Sequence, residues 1–213
     1  MSEPGKRSYR SDLRAAQARR TRGQIVAAAA ELFVGNGYAA TTIDAIAAAA
    51  GVSRKTVFTS VGGKAELLKL AYDQATAGDD EPVPLRERPV VKALEAEPDA
   101  ARMLAGFAAM VTGIQGRIAT LHVTLAGAAE SDPEARTLFE HLEGQRLAAM
   151  HRPATLLSRR DALRAGLTTS MAADILWLHN DPALYHRLVH KRQWTPAQFQ
   201  DWLAHALQTQ LLQ

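Results

Sequence analysis

Behind Thr42, the residues Ile43, Ile46, Ala47 and Ala50 recur at helical spacing, and Gly51 stands directly after the last of them. The pattern predicts a short helix with one apolar face, capped by Thr42 and ended where glycine takes a left-handed conformation at no steric cost. Val52 is then placed to anchor the turn in the core. Ser53 is placed to cap a second helix whose first turn carries Arg54, Lys55 and Thr56. Two short helices around a tight turn suit a DNA groove, because the second helix lies in the major groove with its N-terminal residues facing base edges. Two ordinary amphipathic helices joined by a glycine turn give the same local pattern, so the flanking segments carry weight.

Upstream, Ile25, Ala28, Ala29, Leu32 and Phe33 form one stripe of a helix stopped by Gly35, Asn36 and Gly37. Downstream, Gly62 and Gly63 break the pattern and a new helix starts near Lys64, with Leu67 and Leu68 on its apolar face. From Gly78 to Pro84 the chain is acidic and proline-broken, which predicts a linker.

Beyond it the pattern stays helical. Met103, Phe107, Met110, Val111, Ile114, Ile118, Leu121 and Leu125 follow each other at three- or four-residue steps, interrupted by Gly106, Gly113, Gly116 and Gly127. Glycine inside a helix costs about 1 kcal/mol relative to alanine, so close helix contact, a kink or room for a ligand is implied. Asp132-Pro133-Glu134 restarts a helix with a cap and a first-position proline, Thr168 caps another, and Asn180-Asp181-Pro182 resets it. Thr195-Pro196-Ala197-Gln198 reads as a capping box ahead of Phe199, Trp202, Leu203, Leu207 and Leu211. No segment alternates apolar and polar positions as a strand does.

Composition changes the picture in one respect. The net charge is only +3, but residues 1–64 hold ten Lys and Arg against four acids, whereas residues 65–213 hold fifteen against eighteen. The positive field belongs to the N-terminal part, as phosphate neutralisation requires. Cysteine is absent, which removes disulfides and thiolate metal sites. The first residues lack the apolar core of a signal peptide, and no run approaches the roughly 18 to 20 apolar residues of a membrane span, so a cytoplasmic protein without membrane contact is expected. Catalytic signatures are lacking too. His186 and His190 have a helical metal-pair spacing, but Arg187 stands where a metalloprotease motif needs glutamate, and neither a phosphate loop nor a nucleophile elbow occurs. No enzyme activity, cofactor or metal is expected.

With these elements in order, the segment 21–70 resembles the N-terminal domain of the TetR/AcrR family of transcriptional regulators. A helix ends in Leu32-Phe33, then come Gly37-Tyr38, Thr41-Thr42-Ile43, Ile46-Ala47, Ala50-Gly51-Val52-Ser53, a short helix, and Lys64 with Leu67-Leu68. Two departures stand out. Phe58 and Val61 occupy places where the family usually has an aromatic pair led by tyrosine, so Phe58 lacks a hydroxyl for a phosphate. Gly62-Gly63 replaces a more rigid linker.

The resemblance implies an all-α protein: a three-helix helix-turn-helix DNA-binding domain, then a helical bundle for ligand binding and dimerisation. The expected division is a basic flexible arm at 1–18, a DNA-binding domain at 19–76 with the helix-turn-helix at 42–61, a linker at 77–90 and a regulatory domain at 91–213. Its implied partners are double-stranded operator DNA, a second copy of the chain and a small-molecule effector, with effector binding releasing a repressor. DNA contact is expected from Arg22, Thr41, Thr42, Ser53, Arg54, Lys55, Thr56, Phe58, Thr59 and Lys64. An effector pocket is expected from Met103, Phe107, Met110, His122, Leu125, Phe139, Met150 and Trp177, whose thioethers and aromatic rings suit an apolar cavity. The family pairs its last helices, which points to 170–212 as the dimer face, with Leu184, Phe199, Trp202, Leu203 and Leu207 as contacts. The competing expectation is a helical ligand-binding or adaptor protein without sequence-specific DNA affinity.

Overall fold

The computed structural model describes residues 5–78 and 83–213, with side chains from residue 14 onward. It contains ten α-helices among those residues and separates into two compact units, 1–73 and 74–213.

In the first unit, α1 (Gly5–Ala40) bends at Gly37, whose φ of 78° and ψ of 166° interrupt the helical backbone where the glycine pair was expected to stop it. The basic segment expected as a flexible arm is drawn into α1 from Gly5 onward, and its residues 1–4 lie outside the described residues. The helices α2 (Ile43–Ala49) and α3 (Arg54–Ser60) follow, and α4 (Lys64–Ala77) begins here. Ile25, Val26, Ala29 and Phe33 of α1 are buried with Ile46, Ala47, Val57, Leu67 and Leu68. Phe33 stacks on Tyr38, ring centroids 5.6 Å apart, so the stripe read from the sequence is the core of this unit.

The second unit is built on α6 (Ala100–Ala129), one continuous helix capped by Asp99. Around it pack α5 (Pro89–Ala96), α7 (Pro133–Arg159), α9 (Pro182–Tyr185, continuing through a wide turn to Lys191) and α10 (Pro196–Leu211), while α8 (Thr169–His179) packs on α7 and α10. The core joins Met103, Leu104, Phe107 and Val111 of α6 to Leu157 of α7, Leu176 of α8 and Phe199, Leu203, Leu207 and Leu211 of α10. Near the end of the chain, Arg164 N–H donates to Leu211 O at 2.8 Å.

The glycines of α6 divide into two kinds. A Cβ on Gly106 would lie 2.5 Å from Leu94 Cδ2 of α5, and one on Gly116 would lie 3.3 Å from the Tyr185 hydroxyl, whereas Gly113 and Gly127 face open space. Close helix contact therefore explains the first pair. By length and composition α6 is apolar enough to cross a bilayer, contrary to the reading that no run comes near that limit. Half of that stretch is buried by neighbouring helices, as in the core helix of a bundle.

Of the segment expected as linker at 77–90, residues 79–82 lie outside the described residues, and its later part is helical. A 3₁₀ turn at Leu85–Glu87 leads into α5, which starts at Pro89, a residue whose fixed φ suits the first helical position.

Candidate nucleic-acid interface and cavities

Local chemistry sets the geometry of α2 and α3. Thr42, extended at φ −111° and ψ 156°, accepts a hydrogen bond from Ala45 N–H at 3.1 Å, and Gly51 turns the chain at φ 67°. Val52 N–H then donates to Ala47 O at 2.9 Å. Ser53 is extended too and accepts from Thr56 N–H at 3.1 Å, with the Ser53 and Thr56 hydroxyls 2.8 Å apart. Both caps satisfy backbone donors that a helix start leaves open.

Val57 is the buried residue of α3. The remaining surface of that helix points outward: Ser53, Arg54, Lys55, Phe58 and Thr59 are exposed, Phe58 at 46 %. Phe58 is thus no packing residue of the core. Arg54 Nη1 donates to Asp44 Oδ2 at 2.7 Å, and its Cζ stands 5.6 Å from the Phe58 ring centroid. Thr59 Oγ1 turns back to Lys55 O at 3.0 Å. Arg22 is exposed on α1.

One expected DNA contact is corrected. Thr41 is 1 % exposed, with its hydroxyl 2.8 Å from Gly37 O and 3.0 Å from Leu32 O, so it locks the end of α1 instead of meeting DNA. Lys64, half-buried at the start of α4, sets its ammonium 4.1 Å from the Tyr38 ring centroid and 3.4 Å from Ala39 O.

The single effector pocket expected from sequence is two cavities. One, about 460 Å³, lies among α5, α6 and α7 and takes in Met103, Phe107, Met110 and Met150 together with Leu94 and Leu156. Its lining is mainly apolar, and the Glu95 carboxylate at its edge is paired with Arg152. The other, about 360 Å³, takes in His122, Phe139 and Trp177 with Glu143, Arg146 and Asp181. Leu125 lines neither: it is fully buried in α6.

The second cavity is internally paired. Arg146 bonds both oxygens of Glu143 at 3.1 and 2.5 Å, and Asp181 caps α9 by accepting from Ala183 N–H at 2.8 Å. His122, 4 % exposed, has Nε2 3.7 Å from Asp181 Oδ1 and 4.0 Å from Glu143 Oε1. Burial holds its pKa below the ordinary histidine value against the opposing pull of Glu143 and Asp181, and Arg146 adds to the lowering. His186 is shifted down as well, by burial first and then by His190 and Lys191.

Three of the expected dimer contacts are corrected by burial. Phe199, Leu203 and Leu207 are 0 % exposed within the single chain, because they face α6 and α8 as the core of their own protomer. Leu184 and Trp202 are half-buried. The exposed apolar positions of this region are Met171 at 47 % and Leu178 at 57 % on α8, seven residues apart and so on one helix face, with Ile175 half-buried between them. This face lies within the segment 170–212, but none of its residues was among the contacts expected there, because the large periodic apolar residues named instead occupy core positions.

Arg117 and Arg146 were missed as well. Arg117 of α6 donates to Ala75 O at 2.6 Å and Thr76 O at 3.1 Å, the unsatisfied carbonyls at the end of α4, and to Gly113 O at 2.8 Å. Their long-range acceptors lie about 40 and 30 residues away and leave no local mark; only the Glu143–Arg146 spacing of three on one helix is visible in the sequence.

Residues 25–71 match the family model described as bacterial regulatory proteins, tetR family. Among solved structures the chain is similar to NalD of Pseudomonas aeruginosa, the secondary repressor of the MexAB-OprM multidrug efflux pump, with 22 % identity over 92 % of this chain and 98 % of that one and a TM-score of 0.68. A TetR-family regulator from Syntrophomonas wolfei matches at 16 % identity over 90 % and 94 % of the two chains, TM-score 0.69. The regulator FadR of Bacillus subtilis, in complex with stearoyl-CoA, matches at 19 % identity over 86 % and 96 %, TM-score 0.67. At these identities the likeness is one of fold. The sequence matches none of the curated proteins.

Proposed function

We propose that this protein, whose residues 25–71 match the family model of bacterial regulatory proteins, tetR family, and whose fold is that of its solved relatives, is a DNA-binding transcriptional regulator, a homodimeric repressor released from its operator by a small apolar effector. The observation that carries the reading is the outward face of α3: Val57 anchors the helix while Ser53, Arg54 and Lys55 stand exposed at its N-terminal end. That is the end from which a recognition helix contacts base edges.

One helix-turn-helix covers few base pairs, and a two-fold dimer meets successive major grooves about 34 Å apart. The α8 face of Met171, Ile175 and Leu178 supplies an apolar surface for such pairing. The effector site is the 460 Å³ cavity, whose size and lining suit a small apolar molecule. The stearoyl-CoA complex of the Bacillus subtilis relative is an instance of this fold taking an acyl ligand. Pro153 lines the same cavity and removes one backbone donor from α7, so the wall there is more deformable than an unbroken helix. Displacement of α6 by a ligand reaches the end of α4 through the Arg117 hydrogen bonds.

Selection of bound sequences from random duplex DNA tests the reading. The expected result is a palindromic site with half-sites about one helical turn apart or a multiple of it, with affinity that falls as salt rises. Absence of any enriched sequence sinks it in favour of a helical ligand-binding protein, and a monomer by sedimentation at micromolar concentration removes the dimer.

A further inference from the structure

Asp44 is the one acidic residue between Thr42 and Lys64. Its carboxylate does not cap α2, because Thr42 does that. It reaches instead across the turn to Arg54, ten residues on, with both side chains more than half exposed. The same guanidinium lies against the exposed ring of Phe58 one turn further along α3. Arg54 therefore has its direction set by a carboxylate and an aromatic face before any DNA arrives.

We propose that Asp44 is a specificity-determining positioning residue, which keeps the charge of Arg54 from the phosphate backbone and leaves its remaining N–H donors to read a base edge. This rests on the DNA-binding reading. A guanidinium has five donors in a planar fork, and one of them is taken by Asp44. The others suit the paired O6 and N7 acceptors of a guanine in the major groove. A paired arginine, by contrast, neutralises no phosphate and releases little counterion, and that release is what drives binding to any sequence. Lys55, exposed and next in the chain, is placed to serve the backbone instead. Phe58 acquires a reason here: without a hydroxyl it offers no phosphate contact, but its ring gives Arg54 a platform.

The test uses the full chain as wild type, Asp44→Asn, Arg54→Ala and the double variant, each titrated with the selected operator and with a random duplex of equal length at several salt concentrations. For Asp44→Asn, binding to the random duplex is expected to strengthen about tenfold at low salt, with a salt slope steeper by about one. Operator affinity does not follow, so the ratio between the two duplexes falls about tenfold. In the Arg54→Ala background the Asp44→Asn change leaves the ratio where it was. An equal change on both duplexes overturns the proposal, since that is long-range charge alone. A change in ratio that persists without Arg54 also overturns it, since Asp44 then acts through the stability of α2. A wild-type protein that prefers no sequence sinks the DNA-binding reading together with this one, whereas a sequence-preferring wild type with an unmoved ratio sinks this one only.

Discussion

Arg146 of α7 sets its guanidinium 4.8 Å from the indole centroid of Trp177 in α8 and donates to that residue's carbonyl at 2.5 Å. The same group bonds both carboxylate oxygens of Glu143, so a single side chain fastens α7 to α8 through a charge pair, a backbone acceptor and a ring. With 11 % and 22 % of the two side chains exposed, the pair is screened by little water.

Replacing Arg146 by Ala leaves the Glu143 carboxylate without its cationic partner in a largely closed site and strips packing from Trp177. The expected loss is about 1.5–3 kcal/mol, the range for hydrogen bonds to charged groups. Urea unfolding followed by circular dichroism measures it, and a midpoint equal to that of the wild type contradicts the clamp.

Thr41→Val exchanges a hydroxyl for a methyl of the same shape. It leaves Gly37 O and Leu32 O without the donor they share at a site 1 % exposed. Stability of the DNA-binding unit is expected to fall by about 1–3 kcal/mol. At a temperature where the variant is folded, its DNA affinity equals the wild-type value, because the hydroxyl is not on the DNA-facing surface. A large affinity loss in the folded variant contradicts the buried assignment.

Lys55→Ala removes an exposed cation from α3. Binding is expected to weaken about equally for operator and random duplex, and the salt slope to drop by about one, as for a phosphate contact. Loss confined to the operator would assign Lys55 to a base.

His122 makes stability depend on pH. Its folded pKa lies below the ordinary 6.5, with burial as the leading cause, so the unfolded chain takes up this proton first as pH falls. The stabilisation from the neutral ring is complete above pH 6.5 and drains away as pH falls from there through the lower folded value. Denaturation at pH 7.5 and 5.5 is expected to show a smaller decline for His122→Gln than for the wild type. Equal declines contradict the assignment.

Ala149→Trp places an indole at the wall of the 460 Å³ cavity. Operator affinity is expected to be unchanged, while a ligand that releases the wild-type protein from DNA no longer releases the variant. Release that persists at the same ligand concentration moves the effector elsewhere.

The elements of this protein were legible because their signals are local. Thr42, Ser53, Asp132 and Thr168 each cap the helix they were expected to cap, Asp181 caps the helix restarted at Pro182, and Thr195 with Gln198 forms the full capping box. Gly51 takes the left-handed turn its position demanded. Each of these depends on residues within four positions of one another. Assignment of apolar side chains to pocket, interface or core failed for the opposite reason. Phe199, Leu203 and Leu207 have the spacing of an interface and equally of a core, and the choice depends on what α6 and α8 put against them.

The sequence by itself determined the helices, the turn between α2 and α3, and the basic polar start of α3, because caps, glycine conformations and helical periodicity act over a few residues and leave their mark in residue type. Only the tertiary structure decided that one pocket is two cavities, that Thr41 is buried, that Arg54 is held by Asp44, that Arg117 joins α6 to the end of α4 and that Arg146 joins α7 to α8. Those facts depend on which long side chain reaches which acceptor across a packed interior, and no local pattern encodes that distance.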